Sequence, residues 1–306
     1  MINSLLMEEK DYLIALSQSN LFGPLTLLRL RSFFGSFKRV WQAPLGQLSR
    51  SPCFKLNLNL KEEKLLKFQA FRQTNSPEKI IQRLNYLKIK TVCLEEETYP
   101  YLLKQTYDTP PLLYYKGRLD IFKKPCLAIV GSRKTDKYSE EAAKELTREA
   151  VKLGFTIISG LARGIDSVAH LACLNNQGLT VAVMATGAEK IYPPENWLLA
   201  QRIIEQGCLI SEFPPEVNTK ANHFPRRNRL IAGLSLGVLV IGAPIKSGAL
   251  ITAEQALREN REIMTIPGPI FNPLHEGSNN LLKLGAIPIC SYLDLGEALQ
   301  NLTVTQ

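Results

Sequence analysis

Histidine is scarce, with three residues, and the six cysteines at 53, 93, 126, 173, 208 and 290 form no CxxC pair. That spacing excludes the usual zinc constellations, so no metal and no cofactor are expected. Several of the cysteines sit inside apolar runs, where a reduced thiol behaves as a small hydrophobe, which points to a reducing cytoplasm. No run of about 18 uncharged apolar residues occurs, and the opening MINSLLMEEKDY meets acidic side chains before a signal-like apolar core can form. Neither a membrane span nor secretion is expected. Internal repeats and low-complexity segments are absent as well. A more local absence is also informative. No acidic residue stands between Glu216 and Glu254, a window that holds Lys220, Arg226, Arg227, Arg229 and Lys246.

At 306 residues the chain is long enough for a sizeable core and for two domains. Its net charge of +9 favours an anionic partner without naming one. Residues 1–75 carry 11 Lys/Arg against 5 Asp/Glu, whereas residues 126–306 carry 17 against 17. Basicity in the larger part must therefore be local. Residues 1–75 read as a small helical domain, with apolar residues at three- and four-residue spacing and glycine turns at Gly23 and Gly35. Packing is its expected role, although Lys38 and Arg39 flank a turn able to meet phosphates. Residues 76–125 read as a connecting segment packed on the core. Within it Ser76-Pro77 starts a helix, Lys90–Leu94 forms a strand, and the prolines of 99–117 forbid a helix and favour extended chain.

From Cys126 to the end at 306 short apolar runs alternate with helical patterns, the signature of an α/β fold with a doubly wound, mostly parallel sheet. Strands are expected near 126–130, 155–159, 180–185, 208–212, 237–242, 262–266 and 286–290, a helix capped at Ser139, and a tail at 301–306.

Ligands of such sheets bind beyond the carboxyl ends of the strands, and four loops have suitable composition. In Gly131-Ser132-Arg133-Lys134, glycine admits close backbone approach, amides face a helix start, and Arg133 offers a fork-shaped phosphate donor. The alternative is a glycine turn with a solvated Arg-Lys pair. The stretch from Ser159 to Asp166 sets Gly160 and Gly164 four apart, leaving room for a bulky ligand beside Arg163; Asp166 can equally cap the next helix, and His170 is best read as a core histidine. In His223-Phe224-Pro225-Arg226-Arg227-Asn228-Arg229, an aromatic ring beside guanidiniums combines base stacking with phosphate contact. Helical spacing prevents the arginines from facing one way, so Arg226 or Arg229 serves structure. Lys246-Ser247-Gly248 lies between a strand and a helix but fails the GxxxxGK[ST] spacing, which argues against ATP hydrolysis. The first loop has no GxGxxG, so dinucleotide redox chemistry fits poorly.

These loops fall in an order that resembles the DNA processing protein A (DprA/Smf) family over nearly the whole chain. The match rests on TYPYLLKQTYDTPPLLYYKG at 98–117, VGSRKTDKYS at 130–139, SGLARGIDSVAH at 159–170 and YPPEN at 192–196. It continues through SEFPP at 211–215, HFPRRNRLIAGLS at 223–235, SGALITAEQAL at 247–257 and IPG at 266–268. The resemblance implies a sterile-alpha-motif-like helical domain followed by an extended Rossmann-like domain. It also implies a cytoplasmic protein, not an enzyme, that binds single-stranded DNA with little sequence preference, protects incoming strands in natural transformation, helps load the RecA recombinase and forms a homodimer. By motif, the DNA pocket includes Gly131, Ser132 and Arg133, with Phe224 as stacking platform and Lys220, Arg226 and Arg227 nearby. The chain departs from the family in two places. Ala221 stands where some relatives carry a lysine, and no C-terminal winged-helix domain follows the last expected strand. Two rivals remain: a nucleotide phosphoribohydrolase, with Glu254 as its catalytic carboxylate, and a scaffold that docks RecA without touching DNA.

Overall fold

The computed structural model describes residues 7–54 and 58–304. Six helices come first: α1 (Glu9–Gln18), α2 (Pro24–Phe34), α3 (Phe37–Gln42), α4 (Leu45–Arg50), α5 (Leu58–Thr74) and α6 (Pro77–Tyr86). Local chemistry sets their ends. Gly35 closes α2 in the left-handed conformation that only glycine adopts without strain, and the hydroxyls of Ser36 and Ser76 accept amide bonds that cap α3 and α6. Leu13, Leu16, Leu30, Val40 and Phe68 fill the core of this module, which runs on into Cys93, Leu112 and Tyr114 of the neighbouring sheet.

One nine-stranded sheet organises the rest. Its strands are β1 (Lys90–Cys93), β2 (Leu112–Gly117), β3 (Cys126–Gly131), β4 (Thr156–Ser159), β5 (Thr180–Val183), β6 (Cys208–Ser211), β7 (Gly237–Ile241), β8 (Glu262–Thr265) and β9 (Ile287–Pro288), in the order β1-β2-β6-β5-β4-β3-β7-β8-β9. From β6 to β9 all neighbours are parallel, whereas β2 pairs antiparallel with both β1 and β6. The fold is the expected mostly parallel α/β sheet with helices on both faces. Helices α7 (Tyr101–Lys104), α8 (Lys137–Lys152), α9 (Ile165–Asn175), α10 (Trp197–Gln206), α11 (His223–Gly233), α12 (Gly248–Arg258), α13 (Glu276–Lys283) and α14 (Tyr292–Val304) complete it. Along β3, Ala128 and Val130 pack in the cluster that contains α11 and α12, while Leu127 and Ile129 pack in the cluster that contains α8, α9 and α14. Burial on both faces explains the unbroken apolar runs.

Three expectations need correction. Pro100 starts the short helix α7 rather than preventing one, because a proline ahead of a helix sacrifices no helical hydrogen bond. Asp136, not Ser139, caps α8: its carboxylate accepts from the Ser139 amide at 2.8 Å. The stretch 301–304 is the last turn of α14 rather than a tail, with Leu302 in the core; residues 305–306 lie outside the described residues. Among the described residues no helix is long and apolar enough to cross a membrane, and no group of three or more His, Cys, Asp or Glu is placed to hold a metal ion.

Candidate nucleic-acid interface

The order in which strands are added to the sheet reverses between β3 and β7. From β3 the chain proceeds outward through β4, β5 and β6, and from β7 it proceeds the other way through β8 and β9. Loops therefore diverge at this switch point and leave a crevice beyond the strand ends. There the structure opens a groove of about 410 Å³, lined by the turn after β3, the first turns of α11 and α12, and the loop before α12.

Close packing dictates the glycines at its base. A Cβ at Gly131 would come within 2.0 Å of the Ile241 carbonyl, and one at Gly164, whose φ is +76°, within 2.3 Å of the Ser132 carbonyl. At the bottom of the groove two buried side chains of opposite charge lie near each other without forming an ion pair. Asp166 accepts from the amides of Gly160 and Ala162 at 3.1 and 3.3 Å, so it fastens the loop after β4 rather than capping α9. Arg227, 5% exposed, donates to the carbonyls of Gly160 and Val183 and to the Asn228 side chain. Burial pulls the Arg227 guanidinium down to about 10 against the favourable pull of Asp166. Burial likewise pushes the Asp166 carboxyl up, opposed by Arg227. His170 is a core residue paired with Thr180, and burial followed by the nearby Arg227 lowers it to about 3, leaving the ring neutral.

Above Asp166 and Arg227 the groove carries free cations. Arg133, Lys134 and Lys246 are exposed and form no ion pair with a carboxylate among the described residues. The Arg133 guanidinium stands 5.4 Å from the centroid of the Phe224 ring. Two amides of the β3 turn are already spent: Ser132 donates to the Gly242 carbonyl at 2.7 Å, and Lys134 donates to the Ser132 hydroxyl at 3.1 Å. The turn thus offers an incoming anion fewer amides than its sequence suggests.

Of the residues singled out from sequence, Gly131, Ser132, Arg133, Lys134, Phe224, Arg227, Asn228, Lys246 and Ser247 line the groove. Gly160 and Arg163 line a second compartment on the far side of Phe224, together with Tyr192 and Pro193. Two residues lie outside both. Lys220 sits on the exposed loop before α11, and Arg226 turns toward the helical module, 3.4 Å from the buried Glu212 and over the Phe213 ring. Arg229 binds the same Glu212, so two of the three arginines of α11 are structural. Glu254 is exposed, paired with Arg258 and absent from the groove lining. Tyr192 also lines the second compartment, and its only signal in the sequence is its place in the YPPEN motif.

The model of a family described as DNA recombination-mediator protein A matches residues 90–300. The DNA processing protein DprA of Bacillus subtilis is 41% identical over 217 residues, covering 71% of this chain and 73% of its own length. The X-ray structure of DprA from Streptococcus pneumoniae superposes with a TM-score of 0.79 at 32% identity, over 94% of this chain and 98% of that one. A structure of DprA from Helicobacter pylori, solved for its single-stranded DNA binding mode, gives 0.64 at 28% identity over 70% and 97% of the two chains.

Proposed function

Because the chain belongs to the DNA recombination-mediator protein A family, we propose that it binds single-stranded DNA along this groove, protects incoming strands in transformation and helps to load the RecA recombinase. The observation that carries the reading is the meeting of an unpaired Arg133 with the Phe224 ring over a crevice whose other exposed charges, Lys134 and Lys246, are cationic. Arg133 holds a phosphate while Phe224 stacks a base, each stacked base contributing about 1–3 kcal/mol. Lys134 and Lys246 extend the track by counterion release, and Gly131, Ser132, Asn228 and Ser247 shape its walls, with Gly160 in the adjoining compartment. Arg227 supports the floor from beneath, and Arg163, ion-paired with Glu195, borders the adjoining compartment.

The protein acts as a binder and not as an enzyme, in the cytoplasm. A phosphoribohydrolase would need its carboxylate in the groove, and Glu254 pairs with Arg258 on the surface instead. A homodimer joins two tracks, and the exposed Ile270, Phe271 and Leu284 on the β9 side supply apolar surface for it. Titration of a labelled oligo-dT strand against its duplex tests the reading. The single strand should bind more tightly, with affinity falling linearly in log salt. Absence of binding at low salt, or release of ribose 5-phosphate from AMP, would overturn it.

A further inference from the structure

The YPPEN motif at 192–196 has no part in the groove proper, yet it is fastened to it. The Asn196 side chain donates to the Leu161 carbonyl at 2.8 Å and to the Ser167 hydroxyl at 2.9 Å, stapling its own turn onto the loop after β4. Leu161 is buried and held at φ +56°, a left-handed conformation that a leucine adopts only when its surroundings impose it. Strain is thus stored where that loop presents its carbonyl to Asn196. The staple brings Tyr192 against Phe224, with ring centroids 5.6 Å apart and planes tilted by 61°. The two rings form a corner.

This corner walls the second compartment. Ala162 and Ala185 leave its floor low, and so does Gly160, where a Cβ would come within 2.2 Å of the Arg227 guanidinium. Arg133 and Arg163 stand at the rim, and Glu195 holds Arg163 in an ion pair. No carboxylate lines the compartment. The corner offers a planar base one aromatic face to lie on with its edge toward the other ring, and at the rim Arg133, which has no carboxylate partner among the described residues, matches an attached phosphate. From this juxtaposition we infer that the Phe224–Tyr192 corner is a second nucleobase pocket, which takes the base next to the one in the main groove, with Tyr192 as its second aromatic wall. The inference rests on the reading of the groove as a single-stranded-DNA site.

The full chain is titrated with oligo-dT and with an abasic deoxyribose-phosphate strand of equal length, in parallel with Phe224→Ala, Tyr192→Ala and Tyr192→Phe. Tyr192 is 45% exposed, so truncation should leave folding intact, as thermal unfolding would verify. Loss of a stacked base predicts roughly tenfold weaker binding of oligo-dT by Tyr192→Ala, unchanged binding of the abasic strand, and retention in Tyr192→Phe. Equal weakening on both strands would make Tyr192 a structural prop and refute the pocket. So would a Tyr192→Ala variant within twofold of the parent on oligo-dT while Phe224→Ala weakens it, an outcome that leaves the groove reading standing. Should Phe224→Ala also bind like the parent, the groove reading falls and the pocket with it.

Discussion

The N-terminal helices and the crevice over the sheet are both supplied with lysine and arginine, and they use them differently. In the helical region Lys10 pairs with Glu96, Arg31 with Glu95, Lys67 with Glu63 and Arg83 with Glu216, while Arg72 donates to the carbonyls of Trp41 and Ala43. Those cations are consumed by neighbours, and the exposed Lys38 and Arg39 sit on the short α3. In the crevice Arg133, Lys134 and Lys246 stay without a carboxylate partner: Asp166, the one carboxylate among the lining residues, is buried and faces the opposing charge of Arg227. A region's net charge therefore says little about where an anion binds. What matters is which cations the fold leaves without partners on a concave wall.

The largest effect should come from the buried support of that wall. Arg227→Ala removes the positive charge that opposes the burial of Asp166 and frees two buried carbonyls, and we expect a loss of about 3–5 kcal/mol in denaturant unfolding. Lys38→Ala, on the helical side, should stay within about 0.5 kcal/mol of the parent. A loss below about 1 kcal/mol for Arg227→Ala would erase the distinction between the two regions.

A smaller effect concerns acid. Burial pushes the Asp136 carboxyl up, but the Ser139 amide and the His275 ring, 2.9 Å away, outweigh it and bring the group to about 2. A carboxyl lowered in the folded state stabilises the fold above its unfolded pKa, and that contribution is lost as pH falls from about 4 to about 2. Asp136→Asn keeps a competent cap for α8 and removes the charge. Its melting temperature should fall less steeply than the parent's across that window, and parallel profiles would contradict the assignment.

Much of this was legible in the sequence because it is local. Glycine turns, continuous apolar strands and the Ser76-Pro77 helix start are written in adjacent residues, and the strands from β3 to β9 fall where the pattern puts them. Pairing across the chain was not. The extended stretch 112–117 gives no sign that it joins the sheet antiparallel to β6, since its partners lie about a hundred residues away. Helical spacing showed that the arginines of α11 must diverge, but only the buried Glu212 decides that Arg226 and Arg229 turn from the groove. The wall formed by Tyr192 depends on a side-chain staple from Asn196 to another loop, which no periodicity records.

The central claim is that single-stranded DNA lies where the unpaired Arg133 meets Phe224, and not along the more basic N-terminal region. Fluorescence anisotropy of oligo-dT at low salt should show affinity largely lost in the Arg133→Ala, Phe224→Ala double variant and nearly unchanged in the Lys38→Ala, Arg39→Ala double variant. The reverse pattern would contradict it.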